Sequence, residues 1–251
     1  MDLLSFPPIA AILDAAYALL MGLADLLHPL AGSASAALAV IVLTLLVRTI
    51  LIPAGIAQAK AEQTRARLAP KLQALQRRYK NDRERMSRET MKLYADEKTS
   101  PLAGCAPVLI QAPIVGVVYA LFLYPVIAGH PNALLTDQLL GVPLGASLLG
   151  TIAGGTATES TALVFGILLL MIVVVAEVTR RVFRPVAGGT TDAVPGAETV
   201  ARMAGFLQFG TAVVAIFVPL AAALYLVVTV TWTLVQRIVL RRRFPVESAD
   251  G

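Results

Sequence analysis

The chain has 251 residues, 57% of them hydrophobic, a mean hydropathy of +0.74 and a formal net charge of +5. A water-soluble fold of this length cannot bury so much apolar surface, which excludes an ordinary soluble enzyme and a disordered chain. One Cys and two His exclude a disulfide scaffold and a multi-histidine metal centre, so we expect neither a metal ion nor another cofactor. A membrane protein with several spans remains.

The first 35 residues are predicted to form an extracytoplasmic amphipathic helix that lies in the outer membrane interface. Residues 9–28 are apolar, and the side chains that interrupt them fall within about 80° on a helical wheel. These side chains are Asp14, Tyr17, Met21, Asp25 and His28. The alternatives are a sixth span, which would have to carry two Asp, and a signal peptide, which would need a basic segment before its apolar core.

Four apolar runs follow, and the last of them is too long for one crossing of a bilayer of roughly 30 Å. Residues 204–236 would make a helix of ~50 Å, and Pro219 near their middle is the natural break. The sequence therefore predicts an all-α protein with five transmembrane helices. They are 36–57, 104–125, 161–178, 204–218 and 220–236.

Residues 58–100 interrupt the apolar chain with 12 basic and 6 acidic side chains. An apolar stripe with helical spacing argues against a merely solvated linker, and it consists of Leu68, Leu72, Leu75 and Tyr79. Asn81 and Asp82 form a turn signal after this stripe. The segment is therefore predicted to be a helical hairpin outside the membrane.

The distribution of Lys and Arg predicts the orientation of the chain in the membrane. Twelve of these residues lie in 58–100, four in 179–203 and four in 237–251, whereas 1–35 and 126–160 contain none. Basic loops stay in the cytoplasm. We therefore expect the N-terminus and the loop 126–160 to lie on the external side of the membrane, the loop with partly membrane-dipped structure. We expect the hairpin, the loop 179–203 and the C-terminal tail to lie in the cytoplasm.

Arg48 is the one basic residue inside a predicted span, ~14 Å from the cytoplasmic end of 36–57. A guanidinium keeps its charge, and at the bilayer centre it costs about 2.5–3.5 kcal/mol on insertion scales. A water-filled cavity open to the cytoplasm, an ion pair with Glu177 and snorkelling to the inner surface would each accommodate the charge. We favour the cavity, with Thr44 on the same helix face and Gln111 at similar depth in the next span.

Three segments share a local pattern with a known family: Arg48-x-x-x-x-Pro53-x-x-x-x-Gln58, LAPKLQALQRRY at 68–79 and PLAGCAPVLIQAP at 101–113. With weaker matches at Pro219, Leu224-Tyr225 and Gln236, they resemble the YidC/Oxa/Alb family of membrane protein insertases, in its actinobacterial branch. The similarity extends over about 36–125 and 161–240.

The resemblance implies a five-helix bundle with a hydrophilic groove that is open to the cytoplasm and to lipid and closed outside. The residues assigned to this groove are Arg48, Thr44, Gln111, Glu177, Tyr225 and Thr229. The implied partners are nascent membrane proteins and the lipid of a bacterial plasma membrane, with the ribosome and the Sec translocon as further candidates and no DNA. Because no covalent bond is made, the protein is not expected to be an enzyme.

The alternative function is that of a small anion transporter or channel whose anion binds at Arg48. Transporters commonly contain internal repeats and paired interrupted helices, and the two halves of this sequence do not match. The sequence also lacks a phosphate-binding loop and a nucleophile elbow.

Overall fold

Helices make up most of the computed structural model, which describes residues 7–80, 82–97, 99, 106–127, 129–183 and 209–243. The chain divides into two compact units. The first comprises Met1–Arg48 and Gly116–Leu234, and the second comprises Thr49–Val115 and Val235–Gly251. The predicted loop 179–203 and the predicted tail 237–251 lie largely outside the described residues.

The first unit begins with α1 (Pro7–Ala31), a short 3-10 turn (Gly32–Ala34) and α2 (Ser35–Ile50). The left-handed conformation of Gly32 (φ 53°) suits a residue without a Cβ and allows the chain to change direction there. Helix α1 buries a stripe that contains Leu13 and Leu20, while Leu26 stays exposed on another side. The predicted N-terminal helix is therefore present, and its position relative to a bilayer stays a prediction.

The predicted span 36–57 is not one helix, because α2 ends at Ile50 and α3 (Ile52–Arg78) begins two residues later. Pro53 explains the break: it has no N–H to continue the hydrogen-bond ladder, and its fixed φ suits the first turn of a new helix. Arg48 consequently lies in the last turn of α2. The depth of ~14 Å assumed an uninterrupted helix to residue 57 and does not carry over.

The segment that follows α5 contains strands that an all-α prediction missed. In chain order, α5 (Ala106–Leu123) is followed by β1 (Val126–Ile127), β2 (His130–Pro131), a 3-10 turn (Ala133–Leu135), β3 (Gln138–Leu139), β4 (Val142–Pro143) and α6 (Leu148–Ala153). β1 pairs with β2 and β3 with β4, both antiparallel. Two residues are too few to show the alternating pattern by which a strand is recognised.

The remaining helices of the first unit are α7 (Glu159–Val182), α8 (Gly210–Phe217) and α9 (Leu220–Arg243). The predicted spans 161–178 and 220–236 lie within α7 and α9, and α9 continues seven residues beyond its predicted end. Of the predicted span 204–218, only the part from residue 209 onward lies among the described residues. The count of five spans therefore stays a prediction.

A corner between α8 and α9 is held by the segment that follows β4. Pro219 ends the helical ladder, as the sequence predicts, and leaves the first amides of α9 without helical partners. The carbonyls of Ala146 and Leu144 accept hydrogen bonds from Leu220 N (2.8 Å) and Ala221 N (2.9 Å). Leu144 and Leu220 are fully buried, so this contact forms part of the core.

Three helical stretches among the described residues are long and apolar enough to cross a membrane. They are Pro7–Ile50, Glu159–Val182 and Leu220–Arg242. Their exposed side chains include large aliphatic groups such as Leu163, Leu170 and Val239, which is the surface expected of helices in contact with lipid.

The second unit contains α3, α4 (Arg83–Asp96), the first part of α5 and the end of α9. Asp82 caps α4, because its carboxylate accepts a hydrogen bond from Arg85 N (2.9 Å). Glu97, directly after α4, returns to α3 and forms ion pairs with Arg67 (2.8 Å) and Lys71. The two helices are therefore tied together at the end remote from their connecting turn.

Candidate functional site

Arg48 lies on the same face of α2 as Thr44, one turn away. Thr44 is fully buried, and its hydroxyl donates to the carbonyl of Val40 (2.6 Å), so its polar group is occupied within its own helix. Arg48 is partly exposed, and no carboxylate in the described part of the first unit forms an ion pair with it. Its position in the last turn of α2 also places a cation at the negative end of a helix dipole.

Glu177, the carboxylate that the sequence offered as a partner for Arg48, is occupied within its own helix. Its two oxygens accept hydrogen bonds from Nε and Nη2 of Arg180 (both 2.7 Å), and Arg181 Nε lies 2.6 Å from Oε1. The i+3 and i+4 spacing of these arginines is a signal that sequence analysis could have used. Glu177 therefore brings no unbalanced negative charge toward Arg48.

Tyr225 and Thr229 lie one turn apart on α9. Tyr225 is buried, and its ring packs at a tilt against Phe122, with 5.9 Å between the ring centroids. The hydroxyl of Thr229 is buried and has no hydrogen-bond partner among the described residues, and the same holds for Thr231. Such unpaired hydroxyls in a buried position are uncommon and can bond a polar group that reaches them.

Gln111 lies in α5, and its side chain is outside the part that the structure describes. It belongs to the second unit, whereas the other five assigned residues belong to the first. Among those five, Arg48, Thr44, Glu177, Tyr225 and Thr229, no described hydrogen bond or ion pair joins one to another. The groove assignment therefore stays a prediction.

A polar cluster that sequence analysis missed lies where α1 meets the segment from β1 to the second 3-10 turn. His130 Nε2 is 2.8 Å from Asp14 Oδ1, and the His130 and Tyr17 rings are 5.0 Å apart. The Tyr17 hydroxyl accepts a hydrogen bond from Ala133 N (3.0 Å). The hydrogen bond that His130 donates to the Asp14 carboxylate raises the pKa of His130, because it stabilises the protonated ring.

Asn132, between these contacts, is a buried polar residue with a structural task. Its amide Nδ2 donates to the carbonyls of Leu121 (2.8 Å) and Tyr124 (2.9 Å) at the end of α5. These carbonyls would otherwise lack partners at the helix terminus. Asn132 therefore joins the end of α5 to the segment that forms β2.

A sequence profile described as the 60Kd inner membrane protein family matches residues 26–247 of the chain. The chain belongs to this family. The match covers α2 to α9 and confirms the resemblance to the YidC/Oxa/Alb proteins. Together with the three apolar helical stretches, it identifies the chain as a membrane protein.

Several curated proteins named "Membrane protein insertase YidC" are similar to the chain. One from Streptomyces avermitilis is 28% identical over 227 residues, which are 85% of this chain and 53% of that protein. One from Clostridium perfringens is 42% identical over 83 residues, 33% of this chain and 35% of the relative. One from Pasteurella multocida is 46% identical over 93 residues, 37% of this chain and 17% of the relative. The chain spans at most about half the length of these relatives.

Proposed function

We propose that the protein is a membrane protein insertase, which moves a short polar tail of a nascent membrane protein across the bilayer and releases the adjoining apolar segment into lipid. Family membership supports this function, and the similar proteins carry it in their names. The observation that carries the mechanism is Arg48, a permanent cation at the end of an apolar helix with no ion-pair partner in the described part of the first unit.

In this proposal Arg48, hydrated from the cytoplasmic side, lowers the free energy of a polar or acidic tail that enters the membrane. A charged group loses several kcal/mol of hydration in hydrocarbon, and a hydrated cation nearby offsets part of that loss. Occupation of Glu177 by two arginines supports the proposal, because it leaves the charge of Arg48 available to a substrate. Burial of about 20 apolar residues of the substrate then supplies the driving force.

We assign the polar positions of α9 to the same task. Thr229, with its unpaired hydroxyl one turn from Tyr225, can hydrogen-bond the backbone of an entering tail. The corner at Pro219, where the segment around Leu144 packs against the start of α9, is proposed to close the outer end of the first unit. No covalent step is needed, so the activity is that of a chaperone rather than an enzyme.

The orientation that accompanies this function has the N-terminus outside and the α3–α4 hairpin in the cytoplasm, in the plasma membrane of a bacterium. Nascent membrane proteins are the proposed substrates, and the ribosome and the Sec translocon are candidate partners. Protease added to sealed right-side-out cells should then leave residues 58–100 intact. The anion transporter or channel is the weaker alternative, because no feature of the first unit, in the part that the structure describes, favours a bound anion at Arg48 over a substrate tail.

Insertion into proteoliposomes tests the proposal directly. The substrate is a single-span protein with an acidic translocated tail, compared with the same protein carrying a neutral tail. We expect Arg48→Ala to lower insertion of the acidic substrate about tenfold, which corresponds to ~1.4 kcal/mol, and to affect the neutral one less. Arg48→Lys should retain more activity than Arg48→Ala, because a hydrated cation suffices where bidentate geometry is not required.

The matched control is Arg181→Ala, which removes an exposed arginine that shares the Glu177 carboxylate with Arg180. It should leave the preference for the acidic tail unchanged. Equal insertion of both substrates by Arg48→Ala and the parent protein would refute the role of the charge. Failure of every variant, and of the parent, to insert either substrate would refute the insertase function itself.

A further inference from the structure

The contact between α1 and the external loop, defined here as residues 126–147, depends on a few polar side chains. On α1 they are Asp14 and Tyr17, which lie on one face at i and i+3. On the loop they are His130 and the amide of Ala133. The two partners are more than 110 residues apart in sequence, so this contact fixes the position of the loop on the N-terminal helix rather than shaping either element alone.

His130 is the basic partner available to Asp14 at this contact. Residues 1–35 and 126–160 contain no Lys or Arg, and the other His, His28, lies near the far end of α1. The loop is also held by backbone hydrogen bonds, by the side-chain hydrogen bonds of Asn132 to the end of α5, and by buried apolar side chains that include Ile127, Leu134 and Leu144. The protonation state of His130 therefore decides whether the contact with Asp14 is an ion pair or a hydrogen bond from a neutral imidazole to the carboxylate.

The carboxylate of the loop, Asp137, interacts unfavourably with α1 when it is ionised. Burial raises the pKa of Asp137, and the negative charge of Asp25 on α1 raises it further. The ionised form of Asp137 is therefore disfavoured when the loop lies against α1. The described titratable groups on the elements that meet here are Asp14, Tyr17, Asp25 and His28 on α1, with Tyr124, His130 and Asp137 on or beside the loop.

We propose that Asp14, Tyr17 and His130 form a proton-sensitive clasp that holds the external loop against α1 at acidic pH and releases it as the pH rises. The proposal does not depend on the insertase function. Since the clasp lies at the start of the segment that also supports the α8–α9 corner, its release loosens one attachment of that segment while the hydrogen bonds at Ala146 and Leu144 remain.

The direction of the pH dependence follows from the two groups. Because docking raises the pKa of His130, its contribution is complete below the ordinary range of histidine and is lost as the pH rises through the raised pKa. Because docking also raises the pKa of Asp137, the docked loop is weakened as the pH rises through that pKa, in a more acidic range. Both groups therefore favour the docked loop at low pH.

Distance measurements between two spin labels on the full chain test the clasp. Cys105, the one cysteine, is replaced by Ala, and cysteines for labelling are introduced at the exposed positions Ala11 on α1 and Val126 in β1. The protein is kept in detergent so that both faces experience the same pH, from 4.5 to 8.5. We expect the ratio of the docked population to the released population, read from the distance distribution, to fall about 1.5- to 5-fold between pH 5.5 and 8.5. This change corresponds to the stabilisation that exposed ion pairs usually give.

Two variants keep the test independent of simple unfolding. His130→Gln can still hydrogen-bond Asp14 but does not titrate, so the change between pH 5.5 and 8.5 should disappear. Asp137→Asn should raise the docked fraction above that of the parent between pH 5 and 6. A parent distribution that does not change with pH would overturn the proposal, as would a His130→Gln variant that keeps the parent's pH profile.

Discussion

Replacement of Asn132 by Ala should destabilise the first unit, because it removes two buried hydrogen bonds and leaves the carbonyls of Leu121 and Tyr124 unpaired. Asn132 is 3% exposed, so water does not readily replace the lost donors. At about 0.5–1.5 kcal/mol for each hydrogen bond, the expected loss is about 1–3 kcal/mol in the free energy of unfolding. For a chain of this size that corresponds to a fall of roughly 2–12 °C in Tm.

Thermal unfolding of the detergent-solubilised protein, followed by circular dichroism at a fixed detergent concentration, measures this effect. Thr136→Ala is the matched control, since its hydroxyl donates to the carbonyl of Ala133 (2.7 Å) at an exposed position two residues beyond Leu134. Water can replace that bond, so the control should change Tm by no more than about 2 °C. If both variants shift Tm equally, burial is not what gives the Asn132 hydrogen bonds their value, and the reasoning fails.

Two further predictions concern a close approach and an ion pair. Gly145→Ala should destabilise the first unit by about 1–3 kcal/mol, because a Cβ would lie 2.9 Å from the carbonyl oxygen of Leu135; Gly116→Ala, with open space around it, should be neutral or stabilising in the same Tm assay. Glu97→Gln should increase hydrogen exchange in α4, whereas Glu84→Gln, which breaks a pair within α4, should not. Because hydrogen bonding to Lys71 lowers the pKa of Glu97, the parent should keep this protection until the pH falls below the usual range of Glu; protection that is already lost near neutral pH would contradict the assignment.

The helical elements were predictable because their signals are local. Apolar runs gave α5, α7 and α9 to within a few residues, except that the basic end of α9 continues as helix beyond 236. Pro219 marked the corner before α9, since a missing amide ends a helix wherever it occurs. Pro53 carried the same signal at the start of α3, and the break between α2 and α3 within 36–57 was missed because hydropathy was given more weight than that proline.

The contacts of the loop 126–147 could not be predicted because they join residues distant in sequence. Asp14 and His130 are each unremarkable in a polar face or a turn, and only the fold brings them to 2.8 Å. The turn between β3 and β4 includes Leu140 at φ 53°, a conformation that sequence patterns assign to Gly or Asn. A prediction from turn chemistry would therefore have missed this hairpin.

The ion pairs of Glu177 distinguish two explanations for Arg48. If Arg48 needed a carboxylate for stability, Glu177→Gln should lower protein levels or insertion as much as Arg48→Ala, and the double variant should be no worse than either single one. Because Glu177 is bound to Arg180 and Arg181, we expect the two substitutions instead to be independent, with effects on insertion that add within about 0.3–0.5 kcal/mol. Glu177→Gln alone should leave the preference for acidic tails intact, since it removes a negative charge already balanced within α7. A coupling of 1 kcal/mol or more would mean that the carboxylate serves Arg48 during insertion and that the cation is not free for the substrate.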